Sequence, residues 1–167
     1  MKLAKRMTSL IFILVLMVSF SQCSTTQKLQ NEAPTSFGDV YCQNWTAGVQ
    51  GGGSGINLFI PIGNTSIRLD SVYFRGKATK LEVKPVNPRL FIGRFKTEIN
   101  QPKDIILSSD SKEEYNNKLP EQQVEIPFEL TNNECVVSYK DGNKTLYYKI
   151  SNVREEQPIF YPSAPPN

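Results

Sequence analysis

The sequence lacks the side chain on which most acid–base and nucleophilic catalysis depends, because it contains no histidine. This excludes Ser–His and Cys–His catalysis and zinc sites ligated by imidazole. The carboxylates that remain, among them Asp70, Glu125 and Glu129, can hydrolyse a glycoside only where two of them flank the same bond. Sequence alone does not pair them. We therefore interpret the protein as non-enzymatic and keep an exported, glycosidase-like hydrolase that uses carboxylates as the alternative.

Motifs for metals and cofactors are also missing. The chain has three cysteines and no histidine, and removing one cysteine, as proposed below, leaves too few thiolates for a zinc cage. It contains no GxxxxGK[ST], no GxGxxG after a strand and no EF-hand loop. Asp141 and Asn143 resemble the beginning of such a loop, but Gly142 lies between them, so we interpret this stretch as a turn. We predict no metal and no cofactor.

A glycine cluster near the only tryptophan is the most unusual internal feature. It comprises Gly51, Gly52 and Gly53, and it follows Trp45 closely. Glycine-rich backbone can form an anion-binding nest of N–H groups or let a ligand approach the chain. The alternative is a hairpin connection that uses the positive φ angles open to glycine. No lysine or threonine follows to hold a phosphate, which favours the structural interpretation.

Aromatic side chains on predicted strands are the best candidates for a binding surface. Trp45 lies on one strand, and Tyr147 and Tyr148 lie on another. Because successive side chains of a strand point to opposite faces, Tyr147 and Tyr148 should face opposite ways, and at least one should point outward. Aromatic rings on a sheet can stack on sugars or pack against a protein partner. The alternative places Trp45 and most tyrosines in the core.

The first 22 residues have the composition of a secretory signal peptide. Lys2, Lys5 and Arg6 give a basic start, and residues 10–20 are apolar except for Ser19. This apolar run is shorter than the roughly 20 residues that a membrane-spanning helix needs. We therefore predict a cleaved leader over residues 1–22.

The residues at the predicted cleavage site are Phe20, Ser21, Gln22 and Cys23. They resemble the signal of bacterial lipoproteins, in which the cysteine becomes the lipidated N-terminus. The usual pattern has leucine and a small residue where this chain has Phe20 and Gln22. Looser versions occur in Bacteroidota, and the rest of the chain is similar in character to their small lipoproteins of unassigned function. The resemblance implies a palmitate-bearing anchor at Cys23 in the bacterial cell envelope, on the outer membrane in preference to the inner one. Ordinary cleavage after Ser21 is the alternative.

The leader also accounts for the basic character of the chain. The full sequence carries a net charge of +3. Removing Lys2, Lys5 and Arg6 takes the net charge to zero, since the leader contains no acid. Nucleic-acid binding requires a clustered basic face, so we predict no nucleic-acid partner.

Two cysteines remain if Cys23 carries lipid. Cys42 and Cys135 would be exported to an oxidising compartment, where disulfides persist. We predict a Cys42–Cys135 disulfide. Two buried thiols that act as small apolar side chains are the alternative.

The remaining pattern predicts one all-β domain. Short alternating segments separated by turn residues are typical of an antiparallel β-sandwich, with a barrel as the alternative, and at most one short helix is expected, beginning near Ser111. We place the lipidated N-terminus and a flexible tether at residues 23–38, the domain at residues 39–157, and a Pro-rich tail at residues 158–167.

Two functions from different classes follow. The first is an envelope lipoprotein that is held to the membrane by its lipid and has a binding or structural β-domain for an envelope protein or a glycan. The second is the exported hydrolase. A cleft with two converging carboxylates would favour the hydrolase, and an exposed aromatic patch would favour the binding domain.

Overall fold

The protein is all-β in the computed structural model, which describes residues 27–101 and 126–163. These two ranges contain no helix, and the helix predicted near Ser111 lies outside them. The nine strands are β1 (Leu29–Gln30), β2 (Tyr41–Ala47), β3 (Ser54–Pro61), β4 (Leu69–Phe74), β5 (Lys77–Lys84), β6 (Asn87–Lys96), β7 (Cys135–Asp141), β8 (Lys144–Ile150) and β9 (Arg154–Tyr161).

The strands form one mixed sheet in the order β1-β8-β7-β4-β5-β6-β3-β2-β9. Six neighbouring pairs are antiparallel. The sheet is mixed where the sequence predicted antiparallel pairing, because β1 pairs with β8, and β9 with β2, in parallel. The period-2 pattern of a strand does not show which strand it pairs with, so the sequence did not predict the parallel pairing of the two end strands.

Strand β5 makes the sheet fold over on itself. Its first half, from Lys77 to Lys80, pairs with β4, and its second half, from Leu81 to Lys84, pairs with β6. Strands on both sides of β5 therefore contribute to one core. The largest side chains that are fully buried there are Phe74, Leu58, Ile60, Leu69 and Val72.

The alternation seen in the sequence produces this core. In β3, Leu58 and Ile60 are buried, whereas the alternating residues Asn57 and Phe59 are only partly buried. Side chains two residues apart share a face of a strand, so a period-2 pattern places one set inside and one outside. The predicted Asp141–Gly142 hairpin is also confirmed, with Gly142 at a φ of 56° between β7 and β8.

Residues 27–40 are folded, contrary to the tether predicted for residues 23–38, of which residues 23–26 lie outside the described ranges. Leu29 pairs with Tyr147 in β8, and the Phe37 ring stacks on Tyr148 with 5.6 Å between centroids. Gly38 N–H donates to the Pro61 carbonyl at 2.9 Å. The apolar surface of Phe37 and these backbone bonds stabilise the segment, so the domain includes residue 27 onward.

The predicted C-terminal boundary at residue 157 is also wrong. Strand β9 runs to Tyr161 and pairs along β2, from Tyr41 opposite Arg154 to Ala47 opposite Tyr161. Pro158 is compatible with this position because β9 lies at the end of the strand order, where a missing N–H need not break a ladder bond. Residues up to Tyr161 therefore belong to the domain.

Substituting Phe37→Ala tests whether the N-terminal segment belongs to the fold. Phe37 is half-buried, so we expect the free energy of unfolding to fall by about 1–2 kcal/mol, less than the cost of truncating a fully buried phenylalanine. Urea denaturation, monitored by tryptophan fluorescence, measures the change in the free energy of unfolding. The control is Phe160→Ala, because Phe160 is 74% exposed and its removal should be nearly neutral. Equal stabilities of the two variants would contradict this packing and would support the predicted flexible tether.

Candidate functional site

Trp45 lies on the outer side of the sheet and not in the core. On β2, Cys42 points into the core, so alternation places Tyr41, Gln43 and Trp45 on the opposite side. On β3 the partner of Tyr41 is Phe59. We call the outward set the aromatic face, consisting of Tyr41, Gln43, Trp45, Asn57, Phe59 and Tyr161.

Aromatic contacts fix the rings of this face at two places. Tyr41 and Phe59 stack with centroids 4.7 Å apart and an interplanar angle of 18°. Trp45 meets Tyr161 edge-on at 6.3 Å and 66°. Both geometries are among those that aromatic pairs prefer. The rings are partly exposed, so they remain available for contact from solvent.

Gly55 lets the Trp45 indole lie against the sheet. Trp45 is directly opposite Gly55 in the β2–β3 register. A Cβ atom on Gly55 would approach Trp45 Nε1 to 2.7 Å and Cε2 to 2.9 Å, which is too close for any side chain. The absent side chain therefore makes space for the indole on this face.

Two amide side chains lie between the ring pairs. Gln43 and Asn57 are opposite each other in the register. Gln43 Nε2 donates to the Gln157 carbonyl at 3.0 Å. The Asn57 Oδ1 atom is buried and has no hydrogen-bond partner within residues 27–101 and 126–163. A buried acceptor without a hydrogen bond lowers the stability of the fold, so a donor to Asn57 Oδ1 would be stabilising.

Two ion pairs and Lys96 lie at the border of the face. Arg94 Nε lies 3.1 Å from Glu82, and Arg154 Nη2 lies 2.8 Å from Glu156. The Arg154 guanidinium also lies 6.0 Å from the Tyr41 ring centroid. The two arginines beside the face are therefore neutralised, whereas Lys96, opposite Gly55 in the β3–β6 register, has no ion pair within residues 27–101 and 126–163.

The glycine cluster lies beside Trp45, as the sequence suggested, but it is not an anion nest. Gly51 N–H donates to Asn100 Oδ1 at 3.0 Å, Gly52 N–H to the Val49 carbonyl at 3.1 Å, and Gly53 N–H to the Asn100 carbonyl at 2.7 Å. All three donors are used within the protein. The cluster is the β2–β3 connection, with φ of 74° at Gly51 and 84° at Gly53.

Asn100 holds this connection in place from the other side. Its Nδ2 group donates to the Ala47 carbonyl at 2.8 Å and the Val49 carbonyl at 3.0 Å. Asn100 itself has a φ of 53°, which asparagine tolerates better than most residues. The sequence analysis did not select Asn100, because the residues around it in the sequence give no sign of a contact with residues about fifty positions away.

Tyr147 and Tyr148 point to opposite faces as predicted, and neither joins Trp45. Tyr148 stacks on Phe37. Tyr147 packs against Tyr73 at 6.2 Å and Phe128 at 5.4 Å, and those two rings are 5.1 Å apart. Rings this close contact one another and leave no space for a ligand between them. Burial is the main cause that raises the pKa of Tyr73, and the neighbouring Tyr147 raises this pKa as well.

The aromatic face also contains residues that the sequence analysis did not select. Phe59 lies on β3, where the sequence analysis considered only the aliphatic residues that form the buried face. Tyr161 lies in the segment interpreted as a Pro-rich tail. Both follow from register, because Phe59 is opposite Tyr41 and Tyr161 is opposite Ala47.

Four of the carboxylates in the described ranges are engaged by cations. Four glutamates each contact a cation, in the pairs Glu82–Arg94, Glu134–Lys149, Glu155–Arg75 and Glu156–Arg154. The hydrogen bond from Lys149, with those from Thr131, lowers the pKa of Glu134 to about 2. The hydrogen bond from Arg75 lowers the pKa of Glu155. A general acid needs a raised pKa, so neither shift is of the kind the hydrolase requires.

Within residues 27–101 and 126–163, no group of three or more potential metal-ligating side chains comes together. No helix in these same ranges has the length and apolar character needed to cross a bilayer. The predicted leader and Cys23 lie outside the described residues.

Comparison of the chain with protein-family models, with curated proteins and with solved structures gives no match in any of the three.

The predicted Cys42–Cys135 disulfide is not present in the structure, where both residues are free thiols. Both belong to the common core and are fully buried. Burial raises the pKa of Cys42. Burial, and to a smaller extent the neighbouring Cys42, raises the pKa of Cys135 to about 12. The thiolate is the reactive form, so these cysteines behave as the small apolar residues of the alternative interpretation.

Thiol alkylation tests this state. In a Cys23→Ala background without reductant, we expect iodoacetamide at pH 8 to leave Cys42 and Cys135 unmodified in folded protein, because both are buried and protonated. After unfolding in guanidinium, intact mass should show two modifications. Labelling that requires prior reduction would show that the two cysteines form a disulfide after all.

Proposed function

We propose that this protein is a cell-envelope lipoprotein, anchored through Cys23, whose β-domain binds a neutral glycan on the aromatic face. The observation that carries the proposal is the juxtaposition of two ring pairs, Tyr41–Phe59 and Trp45–Tyr161, on one outer face of the sheet. The leader and Cys23 support the envelope location, and lipid chains buried at about 0.8 kcal/mol per methylene would hold the domain at a membrane.

The chemistry of the face matches that of a sugar. A pyranose presents C–H groups that pack on aromatic rings and hydroxyl groups that exchange hydrogen bonds with amides. Trp45 supplies an indole held against Gly55, and Gln43 supplies a partly buried amide between the ring pairs.

Two ion pairs at the border of the face support a neutral ligand over an anionic one. The arginines that border the face, Arg94 and Arg154, are each paired with a glutamate. An anionic polymer would have to break these pairs. The rigid sheet also keeps the rings in position before binding, which lowers the entropic cost of association.

Substituting Trp45→Ala tests the proposal. An aromatic contact contributes about 0.5–1.5 kcal/mol beyond its buried area, so we expect affinity to fall about ten-fold or more. An array of neutral oligosaccharides and peptidoglycan fragments first identifies the tightest ligand. Isothermal titration calorimetry then measures its affinity for each variant. Phe160→Ala is the matched control, because Phe160 is exposed on β9 but points to the other side of the sheet from Tyr161.

Two results would contradict the glycan. Unchanged affinity in folded Trp45→Ala protein would place the binding site elsewhere. An array without any ligand, together with a photocrosslinker at Trp45 that captures an envelope protein, would identify a protein partner for this face instead.

A further inference from the structure

The Trp45 indole lies with one side against the sheet and has a free donor at its edge. A Cβ atom on Gly55 would lie 2.7 Å from Nε1 and 2.9 Å from Cε2, so the five-membered ring of the indole covers Gly55. Trp45 is only partly buried, which leaves ring surface exposed on the side that faces away from β3. Its Nε1–H donates to no group within residues 27–101 and 126–163, and Nε1 is not a buried atom. This N–H can therefore reach a ligand.

Lys96 adds a second donor at the same end of the indole. Trp45 and Lys96 are both opposite Gly55, Trp45 in the β2–β3 register and Lys96 in the β3–β6 register. Opposite residues share a face of a sheet, and Gly55 between them has no side chain. Strands are spaced so that the Cα atoms of Trp45 and Lys96 are about 10 Å apart, a gap that an indole and a lysine side chain bridge. Lys96 is exposed and has no ion pair within the described ranges.

Gln101 supplies an acceptor at the other end of the indole. A Cβ atom on Gly53 would lie 3.7 Å from Trp45 Cη2 and 3.6 Å from Gln101 Nε2, so the Gln101 amide borders the six-membered ring. Nε2 donates to the Thr97 carbonyl at 2.6 Å and to the Ser54 carbonyl at 3.5 Å, and these two acceptors identify the nitrogen of the amide. Gln101 Oε1 accepts no hydrogen bond within the described ranges and is not buried.

The exposed indole thus lies between a donor end and an acceptor end. Trp45 Nε1 and Lys96 Nζ form the donor end, and Gln101 Oε1 forms the acceptor end. Tyr161 stands beside the indole, with its ring edge-on at 6.3 Å. A ligand that matches this arrangement has a strong acceptor, then an apolar surface, then a hydroxyl donor.

An acetamido sugar carries these groups in this order. The carbonyl of its acetamido group is an acceptor for the two donors, and a hydrogen bond from an ammonium group is roughly twice as strong as a neutral one. The acetamido methyl group and the C–H groups of the pyranose can pack on the indole, and the ring hydroxyls can donate. A plain hexose has a hydroxyl group in place of the acetamido group and lacks both the carbonyl and the methyl group.

We propose that the aromatic face selects N-acetylated sugars over plain hexoses. Trp45 Nε1 and Lys96 donate to the acetamido carbonyl, and Gln101 Oε1 accepts from a hydroxyl group of the same sugar. This selection rests on the glycan site proposed above. The acetamido group is uncharged, which agrees with the paired arginines at the border of the face.

Two ligands that differ only in this group test the selection. The β-1,4-linked tetramers of N-acetylglucosamine and of glucose have the same linkage and length. The full chain, matured in cells, is held in a detergent without a sugar head group, and isothermal titration calorimetry measures the affinity for each tetramer. We expect the acetamido tetramer to bind about ten-fold more tightly, the effect of one hydrogen bond to a charged group.

Variants assign the preference to individual groups. Trp45→Phe keeps an aromatic ring and removes the N–H, and Lys96→Met removes the ammonium group from an exposed position, so each should reduce the preference several-fold. Gln101→Met should weaken binding of both tetramers by the same factor, because both have the hydroxyl donor. Lys144→Met is the matched control for Lys96→Met. It alters an exposed lysine on β8 and should leave both affinities unchanged. Urea denaturation checks that each variant is folded.

The outcomes separate this selection from the glycan site itself. Equal affinities for the two tetramers, or a preference that persists in both Trp45→Phe and Lys96→Met, would overturn the selection and leave the glycan site intact. A tetramer of glucuronic acid that binds more tightly than both would assign Lys96 to a carboxylate and would contradict a neutral ligand as well. Failure of every glycan to bind would overturn the selection and the glycan site together.

Discussion

The contact between the two halves of the sheet is the constraint on which the rest of the structure depends. Strand β5 pairs with β4 and then with β6, so β4 and β6 come face to face. A Cβ atom on Gly93 would lie 2.7 Å from Val72 Cγ1, and the rings of Phe74 and Phe95 are 6.0 Å apart. A side chain at Gly93 would push the halves apart, so glycine there permits the close approach that buries the core.

Folding the sheet in this way determines what the outer surface can do. Once one side of β2 and β3 packs inward, Trp45 and Phe59 must point outward, and the register between the strands decides which side chains become neighbours. The β2–β3 connection is then fixed by Asn100. The aromatic face is thus a consequence of register on a rigid sheet.

Sequence patterns predicted what is local and missed what is distant. Period-2 alternation identified β3, and the Asp141–Gly142 turn identified the β7–β8 hairpin. The parallel pairing of β1 and β9 has no local signature, so the sequence placed Phe37 in a flexible tether and Tyr161 in a Pro-rich tail. The same limit explains the site. Trp45 and the glycines beside it could be selected by residue type, whereas Asn100 and Phe59 matter through contacts across strands and loops that alternation alone does not specify.

A double-mutant cycle on Phe74 and Phe95 tests the folded-over sheet most directly. The two rings lie on strands joined only through β5, so they interact only if the two halves pack together. Phe74→Leu, Phe95→Leu and the double variant are compared by urea denaturation. An aromatic pair should give a coupling free energy of about 0.5–1.5 kcal/mol. Strictly additive losses in stability would show that these rings do not meet and would contradict the common core.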